Sequence, residues 1–223
     1  MPYKAFIFDF DGIITDTEPT HMEAWQSVLE PQGLEFDEAE FREHYLGLND
    51  RDCLDALCHL HKRHFTDAEK TDLIEQKEVT SVALLEQGIP LIPGVADFIA
   101  GAREHFLLAI CSGAARGEIE FILKHLKWAG LFKPIIAADS VTHGKPNPEG
   151  YIRALEGLTA RSDEVLTADQ VVAIEDSPRG IAAAKAAGLK CLAVATAFER
   201  EELAGADWIV GSLLDLDPEE WKK

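Results

Sequence analysis

Asp9 and Asp11 stand two residues apart in Phe6-Ile7-Phe8-Asp9-Phe10-Asp11-Gly12, directly behind an apolar run. Carboxylates leaving the end of a buried segment are costly unless a metal, hydrogen bonds or a reaction uses them. Gly12 lets the chain bend just after Asp11, so both carboxyls can face one pocket. An aspartate-rich turn closing an ordinary strand would look the same locally. An EF-hand loop does not fit, because its fifth position would be Ile13 and its glycine would come fourth instead of sixth.

Three more polar sites follow apolar runs or turns. Ser112-Gly113 comes after Leu107-Leu-Ala-Ile-Cys111, Lys145 lies in Thr142-His-Gly-Lys-Pro-Asn-Pro148, and Glu175-Asp176-Ser177 follows Val171-Val-Ala-Ile174. Each also has a plain structural reading. Ser177 before Pro178 suits a helix N-cap, and a single Lys145 could be a solvated surface lysine. Gly144-Lys145 is no Walker loop, since Asp139 stands where its first glycine belongs and Pro146 follows the lysine.

The elements that would position these residues follow from periodicity. Residues 5–10 have no helical period and read as a core strand. Thr17-Glu18-Pro19 starts a helix that Pro31 and Gly33 stop. From there to about Gln87 the pattern is helical, and Gly88 to Gly94 reads as a linker. Beyond it strands and helices alternate: strands over 107–111, 135–138, 171–174, 191–195 and 208–210, helices over 118–127, 147–156 and 178–187. Alternation of this kind predicts an α/β fold, a Rossmann-like parallel sheet with helices on both faces, whose ligands gather at the carboxyl ends of strands. Residues 1–15 and 91–223 would form this core, with residues 16–90 an inserted α-helical domain.

The bulk composition narrows the partners. The 223 residues are 47% hydrophobic and 27% charged, with a formal net charge of -19. That charge argues against nucleic acid or an anionic membrane, both of which need basic patches. No apolar run approaches the ~20 residues of a membrane span, and Asp9 and Asp11 interrupt the N-terminal apolar stretch too early for a signal peptide. Cys53, Cys58, Cys111 and Cys191 lack Cys-x-x-Cys spacing and read as reduced thiols of a cytoplasmic protein.

Taken in order, Asp9-Phe-Asp11-Gly12, Ser112, Lys145-Pro146 and Glu175-Asp176 resemble the four motifs of the haloacid dehalogenase superfamily of phosphotransferases. The resemblance covers essentially the whole chain. Residues 16–90 look like the small helical cap of its β-phosphoglucomutase-like branch, which Asp16-Thr17-Glu18-Pro19-Thr20-His21 and Pro93-Gly94-Val95 also fit. It implies that Asp9 attacks phosphorus to form an aspartyl-phosphate. Asp11 would act as general acid and then general base. Mg²⁺ would be held by Asp9, the Asp11 carbonyl and Asp176, with Glu175 in support. Ser112, Gly113 and Lys145 would hold the phosphoryl oxygens. An aspartate at position 11 points to phosphate esters, because haloacid dehalogenases and phosphonoacetaldehyde hydrolases lack it.

The cap would select the substrate. Gly47-Leu-Asn-Asp-Arg51-Asp52 matches a cap loop that reaches into the site in that branch, and Thr17 and His21 lie beside the hinge. Arg51 could grip substrate or pair on a helix surface with Asp52 or Asp55. Lys77 could do the same or be a solvated helix lysine. His21 could bridge to Asp11 or be a surface histidine. The leading expectation is a Mg²⁺-dependent phosphatase, a monomer, acting on a small phosphorylated metabolite. The alternative, a sugar phosphomutase, needs a second phosphate site, for which Gly113-Ala-Ala-Arg116-Gly117 offers only Arg116. A catalytically silent binding protein would be expected to lack Asp9, Asp11 or Lys145, and all three are present.

Overall fold

A computed structural model of the chain describes residues 2–45 and 48–222. It divides into two compact units, Met1–Asp16 with Leu91–Lys223 and Thr17–Pro90. Gly47, a candidate cap residue, lies outside the described residues.

The first unit is built on a six-stranded, all-parallel sheet. Its strands are β1 (Ala5–Phe8), β2 (Leu107–Cys111), β3 (Ile135–Ile136), β4 (Val171–Glu175), β5 (Lys190–Val194) and β6 (Trp208–Val210), in the order β3-β2-β1-β4-β5-β6. The first strand is therefore central, with β2 and β4 paired to it in matching register: Phe8 lies beside both Ile110 and Ile174. The near-continuous apolar runs reflect burial on both faces. Ala5 and Ile7 join one core layer with Tyr151, Ala154, Ala173 and Ile181. Phe6 and Phe8 point the other way, into an aromatic cluster with Phe98, Phe106 and Phe132.

Helices α5 (Val95–Ala102), α6 (Arg116–His125), α7 (Glu149–Thr159) and α8 (Pro178–Ala186) belong to this unit. Helix α5 is absent from the elements expected above, although Val95, Phe98, Ile99 and Ala102, its buried residues, keep the i, i+3, i+4, i+7 spacing of a helix face. It starts on Gly94 in a left-handed conformation, with no side-chain cap to mark it. The third strand stops at Ile136, because Ala138–Ser140 turns into a 3-10 segment.

The second unit is all-helical among its described residues: α1 (Glu18–Leu29), α2 (Glu38–His44), α3 (Asp50–Leu60) and α4 (Asp67–Leu85). Its core collects Trp25, Leu29, Phe36, Phe41, Tyr45, Leu54, Leu57 and Leu73. Caps fix the helix starts. Asn49 accepts from the Asp52 N–H, and Thr66 with Glu69 forms a reciprocal capping box. No described helix is long and apolar enough to cross a membrane.

Candidate active site

The carboxyl ends of the three central strands supply the site. Asp9 follows β1, Ser112 follows β2, and Glu175-Asp176 closes β4. The Asp9 N–H still bonds to the Ile174 carbonyl, so the nucleophile candidate sits on the last rung of the ladder. Its Oδ1 accepts from the Phe10 N–H at 2.7 Å and its Oδ2 from the Lys145 ammonium at 2.8 Å. Lys145 also reaches Glu175 Oε1 at 2.6 Å. Lys145, from the loop ahead of α7, thus bridges carboxylates from two strands.

The chain beyond Asp9 turns sharply. The Gly12 N–H bonds to the Thr15 carbonyl, the Ile14 and Thr15 N–H groups bond to the Phe10 carbonyl, and the Thr196 hydroxyl donates to the Gly12 carbonyl. Gly12 is required twice over: its φ is +74°, and a Cβ there would lie 1.9 Å from Asp176 Oδ2. Half-buried Asp11 is held in this turn, opposite Thr15. Ser112 is buried, with its N–H on the Ile136 carbonyl and its Oγ accepting from the Ala114 N–H; Gly113 beside it is exposed.

Glu175 is fully buried, and each of its oxygens has partners. Oε1 takes Lys145 and the Tyr151 hydroxyl, the latter at 2.5 Å, and Oε2 takes the Asp176 N–H and the Ser177 hydroxyl. Ser177 is also the N-cap of α8, accepting from the Gly180 N–H, so the capping role and the contact to Glu175 coexist.

Charge in this space is out of balance. Oxygens of Asp9, Glu175 and Asp176 lie within 4.8 Å of one another, all three residues are buried, and one ammonium faces them. Burial first, and then the Glu175 charge, drives the Asp9 carboxyl upward against the pull of Lys145. Burial and then Asp9 and Glu175 do the same to Asp176. Burial opposes the Lys145 charge, but the two carboxylates outweigh it and hold the ammonium protonated. Burial and Glu175 keep the Tyr151 phenol well above its ordinary value, so it remains a donor. Excess buried carboxylate of this kind fits a divalent cation with oxygen ligands, which would neutralise it.

The remaining candidates have other neighbours. The Arg116 guanidinium, at the start of α6, donates to the Ile135 carbonyl at 2.7 Å and to Ser140 Oγ at 3.0 Å, and approaches Glu120. In the helical unit, Arg51 pairs with Asp67 at 2.6 Å and approaches Asp55 at 3.8 Å. Lys77 is buried. It meets Asp50 at 2.7 Å and His21 Nδ1 at 2.6 Å, and lies 6.0 Å from the Trp25 ring centroid. Thr17 is buried at the start of α1. Three contributors to the core site carry no motif signal: Tyr151, Gly180 and Arg179, whose guanidinium donates to the Lys145 carbonyl at 2.6 Å. The spacing of Tyr151, six residues after Lys145 and on the buried face of α7, is the one cue that could have raised it.

Residues 3–188 match the model of the haloacid dehalogenase-like hydrolases. The validoxylamine A 7'-phosphate phosphatase of Streptomyces hygroscopicus subsp. limoneus is 30% identical over 222 residues, 96% of this chain and 96% of that protein. The β-phosphoglucomutase of Bacillus subtilis is 29% identical, over 99% of this chain and 96% of that protein. Among solved structures, CbbY from Rhodobacter sphaeroides, in complex with xylulose-(1,5)-bisphosphate, superimposes with a TM-score of 0.85 at 30% identity, over 97% of this chain and 96% of that one. An ordered set of short motifs on a parallel sheet, a matching family model and full-length relatives agree, and the chain belongs to the haloacid dehalogenase-like hydrolases.

Proposed function

We propose that the protein is a Mg²⁺-dependent phosphatase that cleaves a small phosphorylated sugar or sugar-like metabolite through an aspartyl-phosphate on Asp9. The observation that carries this reading is the Asp9 carboxylate itself, buried at a strand end and held at both oxygens by Phe10 N–H and Lys145. Held in this way, an Asp9 oxygen is ready to attack phosphorus as the P–O ester bond breaks. The leaving alkoxide takes a proton from Asp11. The Asp11 carboxylate then takes a proton from water as that water attacks the aspartyl-phosphate, and inorganic phosphate and free Asp9 result. Ser112, the Gly113 N–H and Lys145 stabilise the charge that spreads over the transferring oxygens.

Asp9, the Asp11 carbonyl and Asp176 would hold Mg²⁺, with Glu175 in support. The cation would supply charge neutralisation between an anionic nucleophile and an anionic ester. The cluster of buried carboxylates supports a divalent metal there.

The phosphate-cleaving relative and the bisphosphate bound to CbbY support a sugar-like phosphorylated substrate. The β-phosphoglucomutase relative keeps sugar phosphate isomerisation as the alternative. A mutase must grip a second phosphate. Arg116, the one cation after Ser112 offered for it, is committed to the Ile135 carbonyl and Ser140, which favours hydrolysis. Arg51 is held by solvent-exposed ion pairs with Asp67 and Asp55, worth about 0–1 kcal/mol each, and could turn to substrate at little cost.

The test is a panel of sugar mono- and bisphosphates with Mg²⁺, assayed for released phosphate, including β-glucose 1-phosphate with a bisphosphate primer. Release of phosphate from at least one sugar phosphate is expected, with all release abolished by chelation. Interconversion of sugar phosphates faster than phosphate release would replace this reading with the mutase.

A further inference from the structure

Glu175 cannot choose its own orientation. It is fully buried, and a Cβ at Gly180 would lie within 2.0 Å of its carboxylate, so the first turn of α8 leaves it one slot. Within that slot Oε1 has two donors, the Lys145 ammonium at 2.6 Å and the Tyr151 hydroxyl at 2.5 Å. An ionised carboxylate only accepts, so the phenol must donate. The same residue also carries its ring beneath the ammonium, with Lys145 Nζ 5.5 Å from the ring centroid. Two of the three N–H directions of Lys145 go to Asp9 and Glu175.

We propose that Tyr151 is a positioning residue for phosphoryl transfer: its hydroxyl fixes Glu175, and its ring with Glu175 fixes the Lys145 ammonium against Asp9 and the transferring phosphoryl group. Tyr151 touches no reacting atom. It acts through the placement of a cation whose stabilisation of the transition state depends steeply on geometry. This role rests on the phosphatase reading above. It goes beyond that reading by assigning function to a hydroxyl outside the motifs.

Tyr151→Phe removes the hydroxyl and keeps the ring. With p-nitrophenyl phosphate and Mg²⁺, kcat should fall about ten- to a hundredfold, as for loss of one hydrogen bond to a charged group. Affinity for Mg²⁺ alone should fall by clearly less than kcat, because Glu175 only supports that site, while affinity for beryllium trifluoride in the presence of Mg²⁺, a phosphoryl mimic, should drop in step with kcat. In a Lys145→Ala background, adding Tyr151→Phe should change the residual rate by less than about twofold, because the group it positions is gone. A stability loss alone would lower the melting temperature and leave mimic affinity per folded molecule unchanged, which would overturn the role. So would a fall in Mg²⁺ affinity equal to the fall in kcat, or losses that add in the Lys145→Ala background. Active wild-type protein with an unaffected Tyr151→Phe variant sinks the positioning role alone. Wild-type protein without phosphatase activity sinks the functional reading and this role with it.

Discussion

At Asp9 one oxygen is fixed by a backbone N–H and the other by an ammonium. An amide placed there would keep the size of the side chain and lose the charge and one acceptor. Asp9→Asn should therefore fold normally and reduce phosphate release to the uncatalysed background, with weaker Mg²⁺ binding. A residual rate above a small fraction of wild type, measured with an aryl phosphate, contradicts covalent catalysis by Asp9. At this scale the short motifs made Asp9, Ser112, Lys145 and Glu175-Asp176 legible, because each follows an apolar strand or stands in a Pro/Gly turn. Lys77 was not. It sits in a helix rich in charged residues, where the sequence left it open between a substrate cation and a solvated lysine, and its partners Asp50 and His21 are distant in sequence. Tyr151 was hidden for the opposite reason. On an amphipathic helix a buried tyrosine looks like core, and nothing local shows that its hydroxyl ends on Glu175.

The elements carry the site by close approach as much as by side chains. The turn after β1 brings the Gly12 backbone against the Asp176 carboxylate, where a Cβ would lie 1.9 Å from Oδ2. Gly12→Ala should push Asp176 out of its position and strain a backbone with φ of +74°. A loss of about 10–100-fold in Mg²⁺ affinity is expected, as for displacing a group that orients metal ligands. Calorimetric titration with Mg²⁺ checks it, and wild-type affinity in a folded variant would refute it. At the far end of the sheet, Asp207 takes three donors from two elements: Lys185 of α8, and Lys190 and the Cys191 N–H of β5. Partial burial opposes its ionisation, but the hydrogen bonds from Lys185, Lys190 and Cys191 win and pull it from 3.8 to about 2. A depressed folded-state pKa stabilises above the unfolded value and is lost on acidification, here between about pH 4 and about pH 2. Asp207→Asn should lower the melting temperature at neutral pH, with the gap to wild type closing across that window. A gap that stays constant down to about pH 2 would show that the charge on Asp207 does not matter. Strands were legible as apolar runs of the right length. Helix α5 was overlooked although Val95, Phe98, Ile99 and Ala102 keep helical spacing, because Gly94 ahead of it offers no capping side chain and its eight residues follow directly on a Pro/Gly linker.

For the whole molecule, the change of texture near Gly88 to Gly94 marks the return from helices to an alternating sheet. The chain crosses between the two units twice, at Asp16–Thr17 and at Pro90–Leu91. Two short connections suit a hinge that closes over substrate and excludes water during phosphoryl transfer. Small-angle scattering should show a more compact particle with Mg²⁺ and beryllium trifluoride than without them. Superimposable curves under both conditions would rule out closure as part of the cycle.

The place where the helical unit leaves the sheet unit has one more consequence. Thr15 and Leu91 form an antiparallel bridge, and the Ile92 N–H bonds to the Ile14 carbonyl. The outgoing and returning segments are stitched together like the stem of a hairpin, and the entire helical unit occupies the loop. Loop-closure entropy rises only with the logarithm of loop length, about 0.6 kcal/mol for each doubling. The sheet therefore experiences a long insert much as it would a tight turn. Such a socket would let the inserted unit be exchanged, enlarged or shortened without touching Asp9, Lys145 or Asp176. Sheet and insert become separately variable, joined by one pair of hydrogen-bonded segments.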